Sequence, residues 1–237
     1  MDDFSINDAR LERALRELRY VNQFLGGYRS IRMELKPMVI GQQRQAGDSR
    51  RSLRILDLGT GIGDIPEHLV TWGEAYGIRI RVTAVDANPA TVDFARRTLD
   101  ARLNPRLRER VNVQVGDARA LDYPTGSFDI VTASAFLHHF DDDAAVDILR
   151  EMNRLSSDGL IVNDLHRHPA AYAGIRLIAL LLPVSGMFGH DGPASVKRAF
   201  RPSELHRLAG LAGLQDVRIR RRWAYRLVLS TVSAHPT

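Results

Sequence analysis

"RSLRILDLGTGIGDIPEHL", residues 51–69, is an apolar run closed by an acid, Asp57, then glycines at 59, 61 and 63, then residues able to open a helix. Glycines in such a place serve a sharp turn, a ligand lying on the backbone, or a helix packed close to a strand. A dinucleotide fingerprint would read G-x-G-x-x-G, but counted from Gly59 its last position is Asp64, and counted from Gly61 it is Pro66. A pyrophosphate also prefers the positive end of a helix free of acids, whereas Asp57 precedes this turn and Asp64 opens the helix. The stretch suits a ligand with a positive amino group and no phosphate. No Gly-Lys-Ser/Thr follows, so P-loop chemistry is excluded.

Outward from this turn, apolar periodicity alternates between that of strands and that of helices. It predicts strands at 53–58 and 80–85, helices over about 63–75 and 89–101, strands in "RVNVQVGD" and "SFDIVTASAFL", a helix in "DDDAAVDILREMNRLS" and a strand in "GLIVNDL". Strands alternating with helices at this interval mean parallel strands joined by right-handed crossovers, an α/β doubly wound sheet. Upstream, Leu11, Ala14, Leu15 and Leu18 mark one face of a helix over 7–19, capped by Asn7 or Asp8, and "GQQRQAGDSRR" reads as a polar connector.

With 237 residues, 44% of them hydrophobic, the chain can bury one sizeable core. It has no cysteine, which excludes disulfides, thiolate metal sites and thiol nucleophiles. "MDDFSIND" is acidic and polar, unlike a secretory signal, so a cytoplasmic location is the default expectation. "AYAGIRLIALLLPVSGMF" is broken by Arg176 and Pro183 and falls short of the roughly 20 apolar residues of a bilayer span, so no membrane span is expected. The net charge of +5 and "RIRRRWAYR" raise nucleic acid as a partner. With a period of two, however, Val217, Ile219, Arg221, Trp223, Tyr225, Leu227 and Leu229 fall on one side, and Arg218, Arg220, Arg222 and Arg226 mostly on the other. That is the pattern of a late strand pair with one wet face.

These residues resemble the class I S-adenosylmethionine-dependent methyltransferases, whose first motif is acid-x-Gly-x-Gly-x-Gly after the first strand. "LDLGTGIGDIP" matches it at Asp57, Gly59, Gly61 and Gly63, with Thr60 between. The resemblance implies that Asp86 in "VTAVDANP", beside Ala87, takes the cofactor's ribose hydroxyls. It also implies that Asp117 and Ala118 in "VQVGDARAL" hold the adenine amino group, and that Ser134 to His139 pass under the cofactor. "LHHF" is most similar to the ubiquinone and menaquinone biosynthesis type. "NDLHRHPAAYAGIRL…HDGPASVKRAFRPSEL" is similar to small-molecule methyltransferases of bacterial biosynthetic clusters. The implied fold is Rossmann-like: a mostly parallel seven-stranded sheet with an antiparallel last strand. A helical lid segment would occupy 1–45, the S-adenosylmethionine-binding domain 46–237, and a lid insertion about 166–200. The Asn-Pro-Pro-Tyr/Phe motif of DNA and protein amide methylation is absent, which disfavours nucleic acid.

Methyl transfer is an in-line displacement at a sulfonium, so a base is needed only where the acceptor must lose a proton. Of eight histidines, His138 and His139 end the fourth strand, His166 and His168 follow the fifth, and His190 stands between Gly189 and Gly192 in what reads as a loop after the apolar 170–188 segment. Strand carboxyl ends are where ligands sit in open α/β sheets. His190 is the first candidate base, because the insertion it belongs to forms the substrate roof in relatives, and His139 the second. No metal is expected. The expected activity is methylation, at oxygen, of a small apolar or aromatic acceptor, polyketide- or quinone-like, by a monomer or homodimer. C-methylation of a quinone-type substrate and a noncatalytic or cyclase-like S-adenosylmethionine-binding protein are the alternatives.

Overall fold

The structure, a computed structural model, describes residues 19, 23, 25–46, 52–181 and 186–231, for some helical residues the backbone alone. The expected helix at 7–19 lies, apart from Arg19, outside the described residues. The strands are β1 (Leu53–Leu58), β2 (Ile80–Asp86), β3 (Val111–Val115), β4 (Phe128–Ser134), β5 (Ser156–Leu165), β6 (Arg218–Arg222) and β7 (Arg226–Ser230). They form one sheet in the order β3-β2-β1-β4-β5-β7-β6. β1 to β5 pair in parallel, and β7 enters antiparallel to both β5 and β6, so the last strand is the one that runs against the rest. This is the doubly wound sheet expected from the alternation, in the Rossmann-like form with an antiparallel last strand that the resemblance implies, and its order reverses between β1 and β4.

Helices cover both faces of the sheet centre, where β1 is buried except at Arg54 and β4 is buried throughout, so neither strand faces water on either side. On one face lie α1 (Gly27–Ala46), α2 (Asp64–Ala75) and α3 (Pro89–Arg102), which pack Ile31, Leu35, Leu69, Val70, Val92 and Leu99 against Ile55, Ile80 and Ile130. A short turn of helix, α4 (Pro105–Arg108), leads into β3. On the other face α5 (Asp142–Leu155) and α8 (Pro202–Leu211) pack Ile148, Leu149, Leu205 and Leu208 on Leu56, Val131 and Leu160. Between β5 and α8 stand α6 (Pro169–Leu181) and α7 (Gly186–Arg198), packed on each other.

Three details differ from the sequence reading. α1 continues to Ala46, so the first residues of the expected polar connector are helical. Residues 186–198 are helical as well, through Gly189, Gly192 and Pro193, where those residues read as a loop. The arginine-rich strand pair is not simply wet on one side. Arg220 Nη1 lies 2.5 Å from Glu34 Oε2, Arg222 pairs with Glu34 Oε1, and Arg226 is 1% exposed. Glu34, itself buried on α1, draws those two side chains inward and accepts a hydrogen bond from Ser230 Oγ at 3.0 Å.

Candidate functional site

β1 delivers Asp57 to the carboxyl edge of the sheet, and the chain turns through Gly59 and Gly61 to Gly63, the N-cap of α2. All three glycines have positive φ (64°, 55° and 76°). The sterically decisive ones are the first two. A Cβ on Gly59 would stand 2.0 Å from Cδ2 of Phe136, so the turn packs directly under that ring. A Cβ on Gly61 would meet nothing within 4 Å: the backbone there borders open space, as a ligand cradle requires.

Asp86, at the end of β2, clamps this loop. Its Oδ2 accepts the N–H of Gly61 and its Oδ1 that of Asn88, each at 3.0 Å. Burial raises its pKa against the two amides, and each oxygen keeps lone-pair capacity for a further donor. Ala87 follows on the exposed rim. Asp57 is buried. Thr132 Oγ1 donates to its Oδ1 at 2.8 Å, and among the described residues Oδ2 has no hydrogen-bond partner. Burial, outweighing the hydrogen bond from Thr132, pushes the carboxyl up to about 7. A buried carboxylate oxygen without a donor beside an open glycine turn is suited to a cationic ligand group. Thr60 is buried in the same turn, and its N–H donates to the carbonyl of Val85 at 3.0 Å.

Asp117 stands just beyond β3, with Ala118 buried beside it. Its side chain is 48% exposed and is gripped by Arg119, through Nη2 at 2.6 Å and the backbone N–H at 2.9 Å. Arg119 holds its carboxyl below the usual range. Ser134 ends β4, its Oγ accepting from Asn163 Nδ2 at 2.9 Å. Asn163 also reaches the carbonyl of Gly27 at 3.3 Å. On the α2 side Tyr28 donates to Asp64 Oδ2 at 3.0 Å and stacks on His68 at 4.5 Å. Burial, helped by Arg32, lowers His68 to about 4. Residues 26–28 thus cross the carboxyl ends of the strands from β5 to α2.

Beyond β4 a 3₁₀ turn, Leu137–His139, carries the two histidines. His138 is buried. Its backbone N–H donates to Asp164 Oδ2 at 3.1 Å, and its Nδ1 lies 2.6 Å from Asp164 Oδ1. Burial raises the Asp164 carboxyl, but the His138 ring and the hydrogen bonds from His138 and Leu165 outweigh it, and the net shift is downward. Arg226 is buried in the adjacent strand, and Asp164 and Asp64 act on it against the burial that lowers its pKa. Among the described residues Nε2 of His138 has no hydrogen-bond partner. The His139 ring centroid is 4.2 Å away. His190 lies on α7, which packs against the 3₁₀ turn; its side chain lies outside the described residues. His166 is buried, with burial, Arg221 and His168 lowering it, and His168 stacks on Tyr225 at 4.9 Å. Among the described residues no three His, Cys, Asp or Glu side chains form a metal-binding group.

The cradle residues 57–63, Asp86 and Ser134 therefore converge at one edge. Asn163 and Asp164, near the carboxyl end of β5, are not among the residues that the resemblance marks; an acid near the end of an apolar strand is the signal that points to Asp164.

A methyltransferase-domain family model matches residues 55–159. The demethylmenaquinone methyltransferase of Roseiflexus sp. (strain RS-1) is 32% identical over 188 residues, 74% of this chain and 71% of that protein. The magnesium protoporphyrin IX methyltransferase of Synechocystis PCC 6803, solved with S-adenosylhomocysteine, superposes with a TM-score of 0.59 over 96% of both chains at 16% identity. An O-methyltransferase of neocarzinostatin biosynthesis, solved with S-adenosyl-L-homocysteine and 1,4-dihydroxy-2-naphthoic acid, is 26% identical with a TM-score of 0.53 over 76% of this chain and 49% of its own. The residues here fit S-adenosylmethionine: a buried acceptor at Asp57 for its cationic end, an uncrowded backbone at Gly61, and Asp86 with spare acceptor capacity for hydroxyls. With this cofactor, this sheet order and these relatives, the chain belongs to the class I S-adenosylmethionine-dependent methyltransferases.

Proposed function

We propose that this methyltransferase acts on a small, apolar, aromatic acceptor of quinone or polyketide type and places the methyl group on oxygen. S-adenosylmethionine supplies, when bound, an electrophilic methyl on a sulfonium. Asp57, Gly59, Thr60, Gly61, Gly63, Asp86, Ala87, Asp117, Ala118 and Ser134 hold the cofactor. An imidazole at the 3₁₀ turn takes the acceptor's proton. The observation that carries the reading is the His138–Asp164 pair at the strand ends, with Nδ1 engaged and a buried Nε2 that has no hydrogen-bond partner among the described residues. A base is required for a hydroxyl and superfluous for an amine already neutral. His139, next to it, and His190, on the helix packed against that turn, are the other candidates. Residues 1–45 and the insertion 166–200 close over the acceptor, which the crossing of strand ends by Gly26–Tyr28 supports. No helix among the described residues is long and apolar enough to cross a membrane.

The name of the Roseiflexus relative supports a quinone-type acceptor, and for such a ring carbon methylation is the second reading. Incubating the protein with methyl-labelled S-adenosylmethionine and a panel of phenols and hydroquinones, then locating the label by NMR, separates the two. Label on oxygen supports the first reading, and label on ring carbon replaces it with the second. Within the first reading, His138→Gln, His139→Ala and His190→Ala, assayed singly, identify the proton acceptor. Its loss lowers turnover roughly a hundredfold at unchanged cofactor affinity, and native turnover in all three removes the base from the scheme.

A further inference from the structure

We infer that the turn of the β6–β7 hairpin, Trp223-Ala224-Tyr225, is a stacking ledge for the planar ring of the acceptor. The inference rests on the aromatic-acceptor reading above and names the part of the protein that recognises the ring. Because β7 runs antiparallel to β5, with Arg226 opposite Leu165, this turn projects beyond the carboxyl end of β5. The 3₁₀ turn and the glycine cradle stand at the same edge of the sheet. The N–H of His166 donates to the carbonyl of Tyr225 at 2.8 Å and fixes the hairpin there.

The rings at this turn are held from behind and open in front. Tyr225 stacks on His168 with an interplanar angle of 24°, and Trp223 lies against Gly26, where a Cβ would come 3.4 Å from its Cε3. Yet Trp223 is 65% and Tyr225 41% exposed, in a protein that buries its other tryptophan, Trp72. The backbone is held in an uncommon state as well. Ala224 and Tyr225 take φ values of 57° and 55° in succession, a region where Gly, Asn or Asp would sit more readily. Such a conformation persists where surrounding contacts over-determine it. Here those contacts are the His166 hydrogen bond, the His168 ring, the Gly26 backbone and buried Arg226, whose Nε reaches the carbonyl of Leu25 at 3.4 Å. Gly26 leads through Gly27, bonded to Asn163, to Tyr28, bonded to Asp64 at the head of α2. One stretch of three residues therefore ties the ledge to the cofactor side of the site. Rigid, half-open aromatic faces offer a π surface at little conformational cost, and planar aromatic rings stack on them in offset or edge-on geometry.

Intrinsic fluorescence tests this directly, because the chain has two tryptophans and Trp223 is the exposed one. The full-length protein, saturated with S-adenosylhomocysteine, is titrated with 1,4-dihydroxynaphthalene and, in parallel, with decahydro-1-naphthol, a similar skeleton without a π face. The expected result is quenching by the aromatic probe, absent in Trp223→Phe, whose remaining Trp72 sets the inner-filter baseline. By calorimetry Trp223→Ala and Tyr225→Ala should each bind the aromatic probe roughly tenfold more weakly, with S-adenosylhomocysteine affinity within about twofold of native as the check on folding. Equal affinity for the two probes, native affinity in Trp223→Ala, or no binding of the aromatic probe overturns the ledge. A probe that binds, quenches and is methylated on carbon, or not at all, leaves the ledge in place and counts against the oxygen-acceptor reading.

Discussion

Asp164 holds His138 twice, with Oδ2 on the backbone N–H at 3.1 Å and Oδ1 on the ring Nδ1 at 2.6 Å. The two bonds engage the peptide and the side chain of one residue, so the turn and the ring are fixed together. An ionised carboxylate accepts only, which makes Nδ1 the donor and leaves Nε2 with the lone pair. The same carboxylate acts on Arg226, buried in the neighbouring strand, and opposes the lowering of its pKa by burial.

Replacing Asp164 by Asn keeps the shape but removes the charge. Turnover should fall roughly a hundredfold or more, as the imidazole loses its fixed tautomer, while S-adenosylhomocysteine affinity stays within about threefold. Stability at neutral pH should fall by about 3 kcal/mol, since Arg226 loses a buried counter-charge. The Asp164 pKa is depressed in the folded state, so its contribution is present above the ordinary carboxylate range and is lost as pH falls through the lower folded value. Thermal unfolding of native and variant should therefore converge in acid. A difference in midpoint that persists unchanged down to pH 3 would contradict this.

Asp57 has the opposite sign. Its folded pKa is raised to about 7, so the folded protein favours the protonated acid, and stability drains away as pH climbs from about 4 to 7. Asp57→Asn should flatten that part of the profile and raise the unfolding midpoint at pH 8. The cofactor has a different demand, because a cationic amino group needs the carboxylate. Affinity for S-adenosylhomocysteine should rise with pH up to about 7 and then level off, and calorimetry from pH 5.5 to 8.5 should find no such rise in Asp57→Asn.

Gly61 combines positive φ with open space, so a side chain there costs strain without a clash. Gly61→Val should fold with about 1–2 kcal/mol less stability and bind S-adenosylhomocysteine at least a hundredfold more weakly, because the isopropyl group fills the cradle. Asp86→Ala frees the loop that Gly61 N–H anchors and removes an acceptor, and should weaken binding by more than tenfold. Calorimetry on either variant at native affinity would displace the cradle from this loop.

Glu34 gathers Arg220, Arg222 and Ser230 under α1. Glu34→Gln should lower stability by about 2–3 kcal/mol in urea unfolding, because a buried carboxylate with two guanidinium partners loses its charge. The same pairing occupies arginines that the sequence offers to an anionic partner. Native protein should show little salt-dependent binding to duplex oligonucleotides, and a steep salt slope would reopen that possibility.

The sequence made the cofactor half legible because its signals are local. Asp57, Gly59, Gly61 and Asp86 each stand at a strand end whose apolar run and following turn can be counted off, and the strand alternation orders the sheet. The other half depends on pairs far apart in the chain. Nothing near Asp164 announces that His138, 26 residues earlier, will close on it. Arg226 sits in a run of arginines and reads as one more solvated charge, yet the antiparallel entry of β7 beside β5 carries it into the interior. The helix at 186–198 was hidden by Gly189, Gly192 and Pro193, whose local meaning is a break and whose backbone is nevertheless helical against α6 and the 3₁₀ turn.

The pairing of Glu34 with the β6–β7 hairpin also sets a timetable for synthesis. Its partners Arg220, Arg222 and Ser230 emerge 186, 188 and 196 residues after it. At about 5–20 residues per second, α1 waits on the order of 10–40 s for them. Until β7 is released, the face of α1 formed by Ile31, Leu35, Met38 and Val39 has no finished sheet to cover it. The nascent chain therefore carries an early, sticky helix whose docking is the late, high-contact-order step, and holdase chaperones should engage it on the ribosome before the hairpin arrives.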